Sequence, residues 1–168
     1  MELFWHVAHS VPSTDEEQIK ALFVRSFLAT YRASNAYTDK SDEAVQENLA
    51  NDFERTVRTN LHREKQQLLV AAKKEGKVVG FALFEPLEND TVYLAELAVS
   101  PECWGQGLGR KLTFAILEKK PTTRKIVFVT EHINKWAHAF YEALGFQPSD
   151  YTHEGYSPTH FRGYEKNL

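Results

Sequence analysis

The apolar positions of this chain recur with two different periods, and each period predicts a different kind of element. Short apolar runs bounded by turn residues predict strands, and apolar positions three or four apart predict amphipathic helices. The predicted strands cover residues 3–8, 68–72, 77–84, 91–99 and 125–130. The predicted helices open at residue 13, follow the apolar positions from 45 to 61, and cover residues 108–119 and 134–145. The chain is therefore expected to combine a sheet with helices.

Local signals refine the first half of this pattern. Residues 13–17, Ser-Thr-Asp-Glu-Glu, predict a helix start with a double capping box. A buried face of that helix is predicted at Ile19, Leu22, Phe23 and Phe27. A polar stretch over residues 31–42 leads to the second helix, whose apolar residues fall four apart at Val45, Leu49, Phe53, Val57 and Leu61. Glu75 and Gly76 predict a hairpin turn, so the strands between 68 and 99 are expected to be antiparallel.

A glycine-rich turn follows the strand at residues 91–99 and precedes a helix. Gly105, Gly107 and Gly109 permit positive φ angles and remove side-chain bulk, so successive backbone amides can converge on a phosphate. A nucleoside-triphosphate loop would end in Gly-Lys-Ser/Thr, but Gly109 is followed by Arg-Lys-Leu. The G-x-G-x-G spacing also differs from a dinucleotide fingerprint. Taken alone, the glycines could equally end a strand and allow close helix packing.

A second motif lies in the helix that Gly145 closes. Its predicted apolar stripe comprises Trp136, Ala139, Phe140, Ala143 and Leu144. At about 100° per residue, Asn134 and Tyr141 are nearly eclipsed, with Ala137 on the same side between them. Tyr141 is therefore predicted to point away from the stripe. The simpler interpretation is an aromatic residue at the edge of an amphipathic helix.

Together these two segments resemble the signature motifs of the GNAT superfamily of N-acetyltransferases. The family's pyrophosphate loop, Arg/Gln-x-x-Gly-x-Gly/Ala, aligns with residues 104–109, and its Asn-x-x-Ala pattern ending in Tyr-Glu-x-Leu-Gly-Phe aligns with residues 134–146. The resemblance covers about the C-terminal half of the chain, residues 91–146. Trp104 departs from the family pattern, where Arg or Gln is usual, although the loop's other contacts are backbone amides.

The resemblance implies an α+β fold in α/β/α layers over a single domain, residues 1–168. Its mixed, mostly antiparallel sheet would splay between strands 91–99 and 125–130, flanked by helices. The gap would admit acetyl-CoA, whose peptide-like pantetheine arm pairs with strand backbone. Asn134 would reach the cofactor from the opposite side, although it also fits a helix N-cap. The residues implied in cofactor binding are Leu97, Ala98, Val99, Trp104, Gly105, Gln106, Gly107, Leu108, Gly109, Arg110, Asn134 and Ala137.

The resemblance implies roles for two side chains and one backbone N–H in the chemistry of amide formation. Tyr141 would protonate the departing thiolate, since a phenol is neutral at pH 7. The backbone N–H near Leu97 would polarise the thioester carbonyl. Glu96 is the candidate base, because strand alternation places it and Ala98 opposite Leu97 and Val99, toward the acceptor. Water could also serve as the base, and Glu96 could be a solvated charge or ion-pair partner.

The implied function is an acetyl-CoA-dependent N-acetyltransferase that transfers the acetyl group directly to a primary amine. The acceptor would be a small molecule, a polyamine, or a peptide or protein amine. A non-catalytic acyl-CoA-binding regulator of the same fold is the alternative. Tyr151, Glu154 and Tyr156, in the tail after residue 146, are candidates for substrate contact, although exposed loops are commonly polar and aromatic without binding anything.

Composition narrows the remaining possibilities. The 168 residues are 42% hydrophobic, which suits one domain with a substantial core, and the net charge of −3 offers no basic field for nucleic acid. A single cysteine, Cys103, excludes an internal disulfide, and His153 and His160 do not match metal-ligand spacing, so no metal is expected. No signal peptide or membrane span is apparent, which predicts a cytoplasmic location and no membrane partner. The sequence is compatible with either a monomer or a homodimer.

Overall fold

The computed structural model describes residues 1–62 and 67–168. These residues form seven strands in a single sheet and six α-helices around it. The strands are Glu2–Val7, Leu68–Lys74, Lys77–Pro86, Thr91–Val99, Lys125–Glu131, Gln147–Ser149 and Phe161–Asn167, here β1 to β7. The helices are Ser13–Ala33, Asp42–Asp52, Thr59–Leu61, Leu108–Phe114, Ile116–Lys119 and Lys135–Ala143, here α1 to α6.

The sheet has the order β1-β2-β3-β4-β5-β7-β6, and every neighbouring pair is antiparallel except β4 and β5, which are parallel. Alternate residues of each central strand face opposite cores. Leu69 and Ala71 pack toward α1 and α2, whereas Val70 and Ala72 pack toward α4. The sheet is therefore covered on both faces, as the predicted layered α+β fold requires, and the predicted antiparallel group from β2 to β4 is confirmed.

The parallel pair at the centre of the sheet separates soon after it begins. β4 pairs with β5 from Thr91 to Tyr93 and then diverges. On its other edge β4 keeps its pairing with β3, but the register shifts so that Ala95 has no partner there. An extra residue of this kind is a β-bulge, which bends a strand and increases its local twist. The predicted splay is confirmed, and the bulge accounts for its position.

The start of α1 differs from the predicted capping box. The helix begins at Ser13, with Pro12 before it and no side chain capping its first turn. Two acidic residues of the motif form ion pairs instead: Asp15 lies 2.7 Å from the Lys73 ammonium, and Glu16 lies 3.3 Å from the Arg58 guanidinium. The helix also runs on to Ala33, so the predicted polar stretch begins three residues too early.

The second predicted helix keeps its apolar residues inward by changing its geometry. Residues four apart drift by about 40° per step around an α-helix, so a strict four-residue spacing would turn its apolar side chains away from the core. After α2 the chain enters a π-helical turn, Phe53–Arg58, before α3. A π turn is wider and holds more residues than an α turn. Phe53, Val57 and Leu61 consequently all remain fully buried.

The remaining predicted elements are present with small changes. Glu75 and Gly76 both have left-handed φ angles, +52° and +76°, and form the tight turn between β2 and β3. The predicted helix over 108–119 is interrupted at Ala115 and forms α4 and α5, and Leu108, Leu112, Ala115 and Ile116 are buried. Within the described residues no helix combines the length and hydropathy needed to cross a membrane.

The loop between β6 and β7, predicted from the polar tail, is held by a close backbone contact. A β-carbon on Gly163 would lie 2.1 Å from the carbonyl oxygen of Tyr151 and 3.0 Å from that of Ser149. Neither atom belongs to a flexible side chain, so any larger residue would push the loop off the sheet.

We expect Gly163→Ala to lower the free energy of unfolding by about 1–3 kcal/mol, because the added methyl group overlaps fixed backbone. Urea denaturation measures this change. Asn167→Ala, at the exposed end of the same strand, is the matched control and should leave stability within about 0.5 kcal/mol of the parent protein. Equal stability of the two variants would contradict the packing argument.

Candidate active site

A cleft of about 590 Å³ opens where β4 and β5 separate. One wall consists of the glycine turn and the start of α4, and another consists of α6 and the end of β5. α1, α2 and the π-helical turn close the cleft from the opposite face of the sheet. The splay thus produces a cavity that three layers of the fold reach.

The glycines of the turn have distinct roles. Gly105 and Gly107 have φ angles of +73° and +79°, which residues with a side chain adopt only with strain. Gly109 has an ordinary φ, but a β-carbon there would lie 2.9 Å from the Phe140 ring. Two glycines therefore shape the turn and the third allows α6 to approach it. All three line the cleft.

Trp104 turns back across the cleft. Its indole N–H donates a hydrogen bond to the carbonyl oxygen of Val99 at 2.9 Å. Its ring stacks on Trp136 of α6, with centroids 4.9 Å apart. Both rings line the cleft, so an aromatic contact joins the glycine turn to α6.

The buried side of α6 differs from the predicted stripe. Trp136, Ala139 and Ala143 are exposed, so the prediction that they face the core is wrong. Tyr141 is the buried residue of this helix, at 8% exposure, because its ring fills a space beside Phe128 at 4.0 Å between centroids. Tyr141 does point away from the predicted stripe, but it points inward rather than outward.

Asn134 and Ala137 lie on the same side of α6 as Tyr141, as the helical spacing predicts, and all three line the cleft. The Asn134 side chain is buried and its Oδ1 accepts a hydrogen bond from the Ala137 N–H at 3.1 Å. Asn134 is therefore the N-cap of α6, which is the simpler of its two interpretations.

Glu96 follows the bulge in β4 and faces the α1 side of the sheet together with Ala98, as strand alternation predicts. Removal from water raises the pKa of the Glu96 carboxyl to about 8, and the negative charge of Asp52 contributes to the rise. Burial also raises the pKa of the Tyr141 phenol above its ordinary value, and the charge of Glu96 raises it further. The two groups are thus electrostatically coupled across the cleft.

Further polar residues of the cleft were not predicted from the sequence. Tyr31 from α1, Asp52 from the end of α2 and Glu131 from the end of β5 all line the cleft. Burial raises the pKa of Tyr31 well above its ordinary value, and the neighbouring Glu131 adds to the rise. These residues come from three distant parts of the chain and share no motif, so only the folded topology brings them together.

The tail loop contributes one of its three predicted contacts. Tyr156 lines the cleft, whereas Tyr151 and Glu154 do not. The Tyr151 hydroxyl lies 3.0 Å from Nδ1 of His153. The His153 ring stacks on Tyr93, with centroids 3.7 Å apart, which fixes the loop over β4.

Most of the predicted site residues share this one cavity. Ala98 and Gln106 lie outside its wall: the Ala98 side chain is buried against the α1 side, and the Gln106 amide donates to the carbonyl oxygen of Glu102. Residues 1–62 and 67–168 contain no group of three His, Cys, Asp or Glu side chains placed to hold a metal ion. The predicted site residues on the cleft wall are Glu96, Leu97, Val99, Trp104, Gly105, Gly107, Leu108, Gly109, Arg110, Asn134, Ala137 and Tyr141.

A sheet that splays between two parallel central strands, with a glycine turn at the gap, is typical of the acetyltransferase class of folds. A family model described as the acetyltransferase (GNAT) family matches residues 20–146. N-alpha-acetyltransferase 30 of Schizosaccharomyces pombe is 30% identical over 119 residues, which cover 67% of this chain and 79% of that protein. The chain therefore belongs to the GNAT family and is an N-acetyltransferase.

Solved structures agree with this fold. The PaiA N-acetyltransferase of Thermoplasma acidophilum, determined in complex with coenzyme A, superposes with a TM-score of 0.74 at 17% identity, covering 100% of both chains. The ribosomal-protein-S18-alanine N-acetyltransferase of Escherichia coli superposes with a TM-score of 0.60 at 19% identity, covering 99% of this chain and 94% of that one. At these identities the likeness concerns the fold.

The position of Glu96 predicts an unusual titration. In the protein labelled with ¹³C-glutamate, we expect the Glu96 carboxyl to titrate with a pKa of about 8. Asp52→Asn should lower that pKa, because it removes a like charge from the cleft. Glu47→Gln removes the same charge from the exposed side of α2 and should leave the pKa unchanged. Titration in the ordinary range of glutamate would contradict this assignment.

The same shift links stability to pH. The folded protein holds the Glu96 proton more tightly than the unfolded chain does, so this residue's contribution to stability is complete below pH 4. It is lost as the pH rises toward about 8. Glu96→Gln should therefore flatten the decline in the free energy of unfolding over that range.

Proposed function

We propose that this N-acetyltransferase moves the acetyl group directly from acetyl-CoA to a primary amine, with both substrates bound together in the cleft. The observation that carries the proposal is that the glycine turn, the free edge of β4, Glu96 and Tyr141 all border one cavity. We also assign residues 1–168 to a single domain of this kind.

The cleft wall suits the cofactor of the family, acetyl-CoA. The backbone amides around Gly105 and Gly107 would bind the pyrophosphate, and the Arg110 guanidinium at the same wall would add positive charge. Beyond Tyr93 the edge of β4 is not paired with β5, so Leu97 can pair with the peptide-like pantetheine arm. When bound, acetyl-CoA supplies the thioester carbonyl that the amine attacks.

Tyr141 is proposed as the acid that protonates the departing sulfur. Its phenol keeps its proton throughout the neutral range because burial raises its pKa. The charge of Glu96 contributes to that rise, so protonation of Glu96 would make the phenol a stronger acid. Proton uptake at Glu96 and proton release at Tyr141 would therefore favour each other.

Glu96 is proposed as the base that receives a proton from the attacking amine. An aliphatic amine with a pKa of about 10.4 is neutral in only about one molecule in 2,500 at pH 7, so deprotonation is a substantial part of the barrier. A carboxylate with a pKa of about 8 accepts a proton more readily than an ordinary glutamate does. Glu96 lies on the side of β4 where the acceptor amine would bind, so its carboxylate could receive the proton of that amine.

We expect Tyr141→Phe to lower kcat about 100- to 1,000-fold in a thiol-release assay, because it removes the proton donor and keeps the ring. The dissociation constant of coenzyme A, measured by calorimetry, should stay within about threefold of the parent value. Tyr151→Phe, whose hydroxyl lies outside the cleft wall, is the matched control and should retain turnover. Full turnover by Tyr141→Phe would exclude the acid role.

The pH profile tests Glu96. We expect kcat/KM to rise with pH and its slope to decrease above an inflection near pH 8, since the carboxyl must lose its proton to act as a base. In Glu96→Gln this inflection should disappear, while the inflection that belongs to the free amine should remain. A profile unchanged by the substitution would assign the base role to water.

A further inference from the structure

The cleft adjoins a second cavity of about 650 Å³. The two cavities share Tyr31, Leu49, Asp52 and Glu131. The glycine turn, Glu96 and Tyr141 border the first cavity, and the second extends past Glu131 toward Tyr37 and the outer side of α2. An acceptor bound at Glu96 therefore has room to extend beyond the reacting centre.

Two carboxylates, Glu96 and Glu131, line the cleft. Among the described residues, neither Glu96 nor Glu131 forms an ion pair with a lysine or arginine. The Oε2 atom of Glu131 is buried and has no hydrogen-bond partner in the described part of the chain. Leaving such an oxygen unpartnered is costly unless a ligand supplies a donor.

Two cationic side chains, Arg55 and Lys40, line the second cavity, and each contacts another residue of its wall. Arg55 forms an ion pair with Asp52 on the exposed side of α2, and the Lys40 ammonium lies 5.2 Å from the centre of the Tyr37 ring. Tyr31 faces Glu131 as a hydrogen-bond partner but brings no charge. Burial raises the pKa of the Glu131 carboxyl and the charge of His160 opposes that rise, but no lysine or arginine of the described residues forms an ion pair with Glu131.

The cleft that contains Glu96 and Glu131 also has apolar and aromatic lining. Phe27, Leu49 and Tyr156 line it. Aliphatic side chains suit a methylene chain, and aromatic faces attract organic cations. The cleft thus offers two carboxylates together with apolar and aromatic surface.

We propose that the preferred acceptor is a primary amine that carries a second cationic group on the same molecule, as an aliphatic diamine does. The reacting amine would lie at Glu96 and Tyr141, and the second ammonium would lie at Glu131, in the space that Asp52 and its partner Arg55 also border. This inference rests on the proposed function, because it assigns the acceptor half of the same cleft.

Matched amines test it. Thiol release from acetyl-CoA is measured with putrescine and with butylamine, which have the same carbon chain and differ in the second amine. We expect kcat/KM to be about tenfold higher for putrescine, as is typical of one charge-assisted hydrogen bond. A second pair, peptides with lysine or norleucine after the N-terminal residue, distinguishes a basic peptide from a free diamine as the source of this chemistry. Preference for the cationic member of either pair supports the inference.

Variants test which carboxylates of the protein bind the second cationic group of the acceptor. Glu131→Gln should reduce the preference for the cationic acceptor to about twofold or less, and Asp52→Asn should reduce it in the same direction. Glu47→Gln removes one negative charge from the exposed face of α2, outside both cavity walls, and should keep the full preference. The urea midpoint of each variant checks its folding, and Asp52→Asn decides the question if Glu131→Gln is unstable.

The outcomes separate the two levels of the hypothesis. Equal kcat/KM for the charged and uncharged members of both pairs would overturn the inference and leave the transferase function intact. A preference that survives both Glu131→Gln and Asp52→Asn would also overturn it. Binding of coenzyme A without thiol release on any amine would overturn the proposed function, and the inference with it.

Discussion

The divergence of β4 from β5 after Tyr93 is the constraint on which the rest of this molecule depends. Two parallel strands at the centre of a sheet would normally stay paired and leave no cavity. The unpartnered Ala95 adds a residue to β4 opposite β3, and the bend that accompanies such a bulge carries the strand away from β5. Everything that lines the cleft, from the glycine turn to Tyr141, meets there because the sheet is open at this point.

The opening also sets the electrostatics of the site. A carboxylate at Glu96 lies in a space bounded by apolar side chains, so its charged form is disfavoured and its pKa rises into the working range of an acid-base catalyst. Tyr141 responds to the same burial and to the charge of Glu96. The two groups therefore do not titrate independently, and the protonation state of one sets the acidity of the other.

Local sequence patterns were sufficient to predict those structural features that depend on only a few neighbouring residues. The turn at Glu75 and Gly76, the left-handed Gly105 and Gly107, and the N-cap at Asn134 belong to this group. The burial of α6 could not be predicted in this way, because a short helix that covers a cleft turns one edge inward, and Trp136 is exposed while Tyr141 is buried. The splay itself followed from the family resemblance.

Long-range contacts account for the other differences. The π-helical turn at Phe53–Arg58 adapts helix geometry to a four-residue apolar spacing, which local propensity does not predict. Asp15 and Glu16 form ion pairs with residues far along the chain and do not cap α1. Tyr31, Asp52 and Glu131 converge from α1, α2 and β5, so their proximity is a property of the topology.

The indole of Trp104 has one more consequence for how the cleft is filled. The carbonyl oxygen of Val99 lies on the free edge of β4, yet it already accepts hydrogen bonds from the Trp104 indole and the Ser26 hydroxyl. A cofactor amide that donated a hydrogen bond to this oxygen would have to replace one of these two donors. The free energy gained at the Val99 oxygen would be only the difference between two similar hydrogen bonds. Main-chain pairing with the cofactor would therefore add most to affinity at Leu97.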